Sequence, residues 1–280
     1  MNTPHDYCRR RTAASGSSFY YGFLCLPATR RRAIMALYAF CREVDDIVDE
    51  KTDTDTACAE LDEWRAELQR LGNGEARHPV GHALAEVVHD FNLPVEQLHE
   101  IIDGMEMDLD THRYADFNAL QLYCYRVASV VGLLSAEIFG YQDRRTLRYA
   151  HDLGLAFQLT NILRDVGDDA RRGRIYLPQD ELAHFDVREE DLLNGQRTPQ
   201  MKALFTYQAA RAHEYYARAM NALPEQDRAN QRPGLIMASI YQEMLNELER
   251  QDFPVLGEPL RLSGGRKLKL AFNAWWENRG

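Results

Sequence analysis

The sequence is short of several things that would have pointed elsewhere. No run of about 18 apolar residues occurs, so no membrane-spanning helix is expected, and the polar start MNTPHDYCRRRTAASGSS lacks the apolar stretch of a secretory signal. Cysteine is sparse and odd in number: Cys8, Cys25, Cys41, Cys58 and Cys124 are scattered, with no C-x-x-C pair. That spacing excludes a disulfide framework or a zinc ribbon and suits a reducing cytoplasm. Positive charge is the minority, 33 Lys and Arg against 43 Asp and Glu for a formal net charge of -10. Nucleic acid is therefore excluded as a general partner, and a phosphorylated substrate would need cations between it and the protein. Glycine and proline show no excess, and disorder is not expected away from the termini.

What is present is helical pattern. Apolar residues recur at spacings of three and four between short Gly, Pro or Asn breaks, while alternation at period two is nearly absent. The spacing predicts an all-α protein with helices near 28–50, 57–71, 79–91, 94–110, 116–140, 144–170, 198–222 and 230–250. Asp186 to Gly195 reads as a further short helix and turn. No repeat, low-complexity tract or linker divides the chain, and 280 residues can bury one substantial core, so a single domain over 1–280 is expected. Near the C-terminus, Arg266-Lys267-Leu268-Lys269-Leu270 with Phe272, Trp275 and Trp276 reads as a helix packed on the core with its lysines outward. The same residues also fit an interfacial helix at the inner face of a membrane.

Two segments carry chemistry. In Tyr38-Ala39-Phe40-Cys41-Arg42-Glu43-Val44-Asp45-Asp46-Ile47-Val48-Asp49, Asp45 and Asp49 stand one turn apart on one helix face. In the second, Gln158, Asn161, Asp165 and Asp169 form an i, i+3, i+7, i+11 ridge of amide and carboxylate oxygens on an otherwise apolar helix. The Arg-rich stretch Arg171-Arg172-Gly173-Arg174-Ile175-Tyr176-Leu177-Pro178 follows it. One pair of acids four residues apart is ordinary on a solvated helix. Two such sets, one prolonged by amides, are stable only in water or around cations, because crowded like charges resist desolvation. Hard oxygen donors with few histidines suit Mg²⁺, which takes one or two carboxylates and completes its shell with water and phosphate oxygens. His78 and His82 are separated by Pro79 and lack the H-E-x-x-H context of a metallohydrolase.

At these residues the chain resembles the squalene/phytoene synthase family. The resemblance rests on Gly16-Ser17-Ser18-Phe19-Tyr20, on Tyr38 to Arg42 leading into Asp45 and Asp49, on Tyr123-Cys124-Tyr125-Arg126-Val127-Ala128, and on 158–169 with Arg174 to Pro178. It implies a helical isoprenoid synthase bundle around a central apolar cavity. It implies that Asp45, Asp49, Asn161, Asp165 and Asp169 bind two or three Mg²⁺ ions with Gln158 on the same face. Arg42, Arg174 and Tyr176 would then contact diphosphate, Ser18, Phe19 and Tyr38 would position substrate, and Tyr123 would be the catalytic tyrosine near a carbocation. Within the family, Ser17-Ser18-Phe19-Tyr20-Tyr21 and Tyr125-Arg126-Val127-Ala128-Ser129-Val130-Val131-Gly132 are similar to the bacterial branch that joins two farnesyl diphosphates into presqualene diphosphate without NADPH, in squalene and hopanoid biosynthesis. Downstream enzymes of that route are the implied protein partners.

The alternatives are phytoene formation from two geranylgeranyl diphosphates, a complete squalene synthase using NADPH, and a prenyl-lipid carrier with no catalysis. Asp45-Asp46-x-x-Asp49 alone also fits chain-elongating prenyltransferases, but Arg164-Asp165 stands where those carry Asp-Asp. Ser129 replaces a glycine of many relatives, Arg261 aligns loosely with a diphosphate-binding arginine, and the small residues beside Val127, Val131, Gly132 and Ser135 suit either a prenyl tail or close helix packing.

Overall fold

The computed structural model describes residues 3–14, 19–50, 53–257 and 259–278. Among them the chain is helical without a strand, its one β contact being an isolated parallel bridge between Arg113 and Ile175. In chain order the helices are α1 (Pro4–Ala14), α2 (Phe19–Phe23), α3 (Ala28–Glu50), α4 (Thr54–Leu71), α5 (Pro79–Phe91), α6 (Val95–Asp110) and α7 (Phe117–Cys124). A π-helical turn (Tyr125–Ser129) joins α7 to α8 (Val130–Phe139). Then come α9 (Arg145–Arg171), α10 (Gln179–His184), α11 (Glu189–Leu193), α12 (Pro199–Ala222), α13 (Arg232–Arg250) and α14 (Gly264–Glu277).

Local chemistry sets most of these boundaries. The Asp53 carboxylate caps α4 by accepting from the Thr56 N–H, so that helix starts three residues earlier than its apolar pattern suggested. Asp116 accepts from the Ala119 N–H to start α7, and Pro79 and Pro199 occupy first turns, where a missing N–H costs nothing. Asn92 ends α5 in the left-handed conformation, φ 51°.

Two departures from the expected pattern bear on the site. The predicted helix 116–140 is broken at its middle by the π turn, which shifts the phase of every later side chain and brings Val127 and Ala128 to the cavity wall. The polar N-terminal stretch is nevertheless a helix, α1. It buries only Cys8 and Thr12, and it is fastened to α3 by Arg11, which pairs with Glu43 at 3.0 Å and also with Asp46.

The run 117–139 is long and apolar enough to cross a bilayer by composition, but here it packs as an inner helix between α6 and α9. One apolar cluster, carried largely by α1, α3 to α6 and α8, lies to one side of the cavity. A second, carried largely by α7, α9, α12 and α13, lies to the other. α9 presses so closely on the π turn that a Cβ on Gly154 would stand 2.6 Å from Ser129 Cα. Ser129 itself faces α9, its hydroxyl donating to the His151 carbonyl at 2.9 Å, so the departure from glycine serves packing and leaves the cavity wall alone. Gly154→Ala is therefore expected to cost about 1–3 kcal/mol by overpacking, read as a lower urea midpoint with an unchanged slope; an unchanged midpoint would show that the two helices can part freely.

Candidate active site

The cavity lies between α3, α8, α9 and α13, with Met105 of α6 in its wall, and has a volume of about 240 Å³. Its depth is apolar and aromatic: Phe19 stands 6.1 Å, ring to ring, from each of Tyr38, Phe157 and Tyr241. Its mouth is polar, formed by Arg42 and Asp45 of α3 and by Gln158 and Asn161 of α9. Asp45 of the first predicted ridge and Gln158 and Asn161 of the second thus meet at one apolar channel, while Asp49, Asp165 and Asp169 are not part of its wall. Val127, Val131, Gly132 and Ser135 all line it, while a Cβ on Gly132 would lie 2.5 Å from the Ala150 carbonyl oxygen. Small side chains there serve the cavity and close packing together.

Crowded charge marks the mouth. Burial pushes the Asp45 carboxyl up to about 6, with Asp49, Asp46 and Asp108 adding to the rise and Arg42 opposing it. Burial likewise pushes Asp169 up to about 7, reinforced by Asp165 and Asp108 against Arg174 and Arg172. Asp165 is gripped by its neighbour Arg164 at 2.5 and 2.7 Å. Arg42 holds Asp45 and Asp46 at 2.5 Å each, and Asp46 also meets Arg11. Asp46 is held by two arginines, while Asp45 shares Arg42 with it. Arg172 and Arg174, from the turn after α9, reach Asp49 at 2.9 and 3.6 Å and tie the two ridges together.

Asn161 Oδ1 is buried without a hydrogen-bond partner, while its amide nitrogen faces Gln158 Oε1 at 3.4 Å. A buried, unused acceptor beside crowded carboxylates suits a hard divalent cation. Among the described residues no three His, Cys, Asp or Glu side chains stand close enough to enclose an ion.

Beneath the mouth sits a group that the sequence reading missed. Asp108 of α6 is buried and accepts from the Tyr123 hydroxyl at 2.8 Å and from the Tyr176 hydroxyl at 2.7 Å. The two rings stack at 5.1 Å, with Tyr114 stacked on Tyr176 at 5.9 Å. Burial raises Asp108, partly offset by those phenols and by Arg174, and burial raises Tyr123 well above an ordinary phenol. A signal for Asp108 was available: Ile101, Met105 and Asp108 follow i, i+4, i+7, placing the acid on the buried stripe of its helix. Tyr123 itself does not line the cavity. Asp169, Arg174 and Tyr176 gather around a small adjoining recess.

Ser18 lies outside the described residues. Arg261 is exposed and takes no part in the cavity wall. His78 caps α5 through its ring nitrogen and packs on Trp64 and Tyr7, a structural use. The five cysteines are free thiols.

Comparison with known proteins gives a consistent answer. The family model described as squalene/phytoene synthase matches residues 12–266. The 15-cis-phytoene synthase of Synechococcus elongatus is 36% identical over 96% of this chain and 91% of its own. The phytoene synthase of Arthrospira platensis is 37% identical over 92% and 90%. Among solved structures, a ligand-bound dehydrosqualene synthase superposes with a TM-score of 0.88 at 30% identity, over 99% of this chain and 96% of that one. The squalene synthase HpnC from Alicyclobacillus acidocaldarius superposes with 0.81 at 28% identity, over 89% and 94%.

Proposed function

The chain belongs to the squalene/phytoene synthase family of head-to-head prenyltransferases, and from that membership we propose that it joins two farnesyl diphosphates into presqualene diphosphate, releasing one diphosphate. The carrying observation is that the two acid-bearing helices, α3 and α9, meet at the mouth of an apolar channel, with Arg172 and Arg174 after α9 reaching Asp49 of α3. Likeness to solved dehydrosqualene and squalene synthases points the same way. The phytoene synthase relatives support a second reading, condensation of two geranylgeranyl diphosphates.

The chain's own groups account for the remaining demands of the reaction. Asp45, Asp49, Asn161, Asp165 and Asp169 would hold Mg²⁺, which when bound neutralises the charge that gathers on a departing diphosphate. Arg42 at the mouth, with Arg172 and Arg174 on Asp49, would donate to the same oxygens. In the donor, the bond from C1 to the diphosphate oxygen breaks and both electrons leave with the oxygen. The acceptor's double bond supplies the pair for the new carbon–carbon bond, and loss of one proton closes the cyclopropane. Phe19, Tyr38 and Phe157 line the channel, where their rings can face the allylic cation and exclude water. Tyr123 donates its hydrogen to Asp108 and does not line the cavity, so the released diphosphate is the better-placed proton acceptor.

The test is product identity. The protein with Mg²⁺ and farnesyl or geranylgeranyl diphosphate, with and without NADPH, is expected to give a C30 diphosphate from farnesyl diphosphate alone, detected by mass spectrometry before and after phosphatase. Phytoene from the C20 substrate would establish the second reading; squalene formed only with NADPH would make it a complete squalene synthase. No Mg²⁺-dependent turnover of either substrate would leave a prenyl-lipid carrier.

Cation binding is expected to depend on pH. Burial lifts Asp45 to about 6 and Asp169 to about 7, so in the window from the ordinary value of 3.8 up to those values the folded state holds protons that the unfolded chain has released. Metal-free stability is thus fullest below this window and falls as pH rises through it. Mg²⁺ with inorganic diphosphate binds the ionised forms, so its stabilising shift in Tm should grow from below pH 6 to above pH 7. Equal shifts at both ends would detach these two acids from the metal.

A further inference from the structure

The turn after α9 is held in place by a residue outside both acidic segments. Gly173, between Arg172 and Arg174, takes the left-handed conformation, φ 79°, with nothing near where a Cβ would stand, so the backbone of the turn and not crowding calls for glycine. On one side the turn is tied to the end of α9: the Gly173 N–H donates to the Ala170 carbonyl at 2.9 Å, and the Arg174 N–H to the Asp169 carbonyl at 2.9 Å. The Gly173 carbonyl is taken up elsewhere. It accepts from Arg113 Nη1 at 2.7 Å, across 60 residues of sequence.

Arg113 lies in the short strip between α6 and α7. Its Nη1 also donates to the His112 carbonyl at 2.7 Å, and its Nε donates to Glu189 Oε2 of α11 at 2.7 Å. Three segments thus converge on one planar guanidinium, whose donors are fixed in direction. Joining the two strips does not by itself require this side chain. The Ile175 N–H already donates to the His112 carbonyl at 3.1 Å, and those of Gln179 and Asp180 to the Tyr114 and Ala115 carbonyls at 2.9 and 3.2 Å. What Arg113 adds falls on the peptide that joins Gly173 to Arg174. Arg172 and Arg174, on either side of that glycine, are the residues that reach Asp49 at 2.9 and 3.6 Å. Arg113 itself lines neither the cavity nor the recess around Asp169. Long cationic side chains on an untethered turn would spread over many rotamers, whereas cations placed beforehand meet developing charge without reorganisation.

We propose that Arg113 is a positioning residue for diphosphate binding: its grip on the Gly173 carbonyl sets the turn from which Arg174, and with it Arg172, reach Asp49 and the phosphate oxygens. That those oxygens are the target rests on the function proposed above. The full chain without prenyl substrate is titrated with inorganic diphosphate in the presence of Mg²⁺, and Kd is measured by calorimetry. Arg113→Gln is expected to weaken binding about tenfold. In an Arg174→Gln background the same substitution should change Kd by less than about twofold, because a residue that acts through Arg174 then has little left to act on. Glu189→Gln, at a partly exposed site, removes the charge that holds Nε and serves if Arg113→Gln does not fold; it should weaken binding about threefold, again only while Arg174 is present. Equal losses in both backgrounds would make Arg113 a general support of the fold and overturn the proposal. Wild-type affinity in Arg113→Gln overturns it too. A wild type that binds no diphosphate overturns it together with the reading of the mouth, whereas a wild type that binds diphosphate but joins no prenyl chains removes only the proposed reaction.

Discussion

Asp169→Asn is expected to lower turnover about 10³-fold, equivalent to ~4 kcal/mol of transition-state stabilisation, while leaving the metal-free protein as stable as the wild type or more so. The two halves have one cause. Asp169 sits among Asp165 and Asp108 in a partly buried position that lifts its carboxyl to about 7, so its charge is an electrostatic burden on the fold. Asparagine keeps the shape and removes that burden. The same charge is what a bound cation and a departing diphosphate would need, so its loss falls on the chemical step. The measurement pairs kcat with thermal unfolding, each with and without Mg²⁺. Wild-type turnover would remove the second ridge from the chemistry. Equal loss of Tm and of activity would make Asp169 a structural acid.

How much of this was legible in the sequence depended on the range of the interaction concerned. Helices 28–50 and 79–91 fall where their periodicity put them, because repeated apolar positions and local breakers decide such elements. The two acidic ridges were legible for the same reason: Asp45 with Asp49, and 158–169, share faces by helical arithmetic alone. α1 was not legible, since its few buried residues are held by ion pairs to α3, a contact no local pattern announces. The π turn was equally hidden; its extra residue per turn appears once α7 and α8 are wedged between α6 and α9. Arg42 shows how a role can be named while its setting is missed. Its position at the mouth was expected, but its pairs with Asp45 and Asp46 mean that a diphosphate must compete for it. Tyr123 likewise stays out of the cavity wall, because Asp108 holds its hydroxyl from a helix that the motifs do not include.

Asp108 should accordingly separate stability from catalysis by substitution. Its carboxylate accepts from two buried phenols on different segments, Tyr123 at the end of α7 and Tyr176 in the turn after α9. Asp108→Ala strands both hydroxyls and opens a cavity, and is expected to cost about 2–5 kcal/mol. Asp108→Asn keeps the volume and one good acceptor but loses the charge that strengthens both bonds and faces Arg174. The Asn variant should remain folded with a modest loss of Tm, yet turn over about 10–100-fold more slowly, as expected when groups orienting a metal or phosphate site are disturbed. The fall should lie in kcat more than KM, because the tyrosine pair and Arg174 are positioned for the charge that develops during ionisation rather than for the prenyl tail. Full activity in Asp108→Asn would reduce this acid to a packing residue, and a rise confined to KM would place it with substrate binding instead.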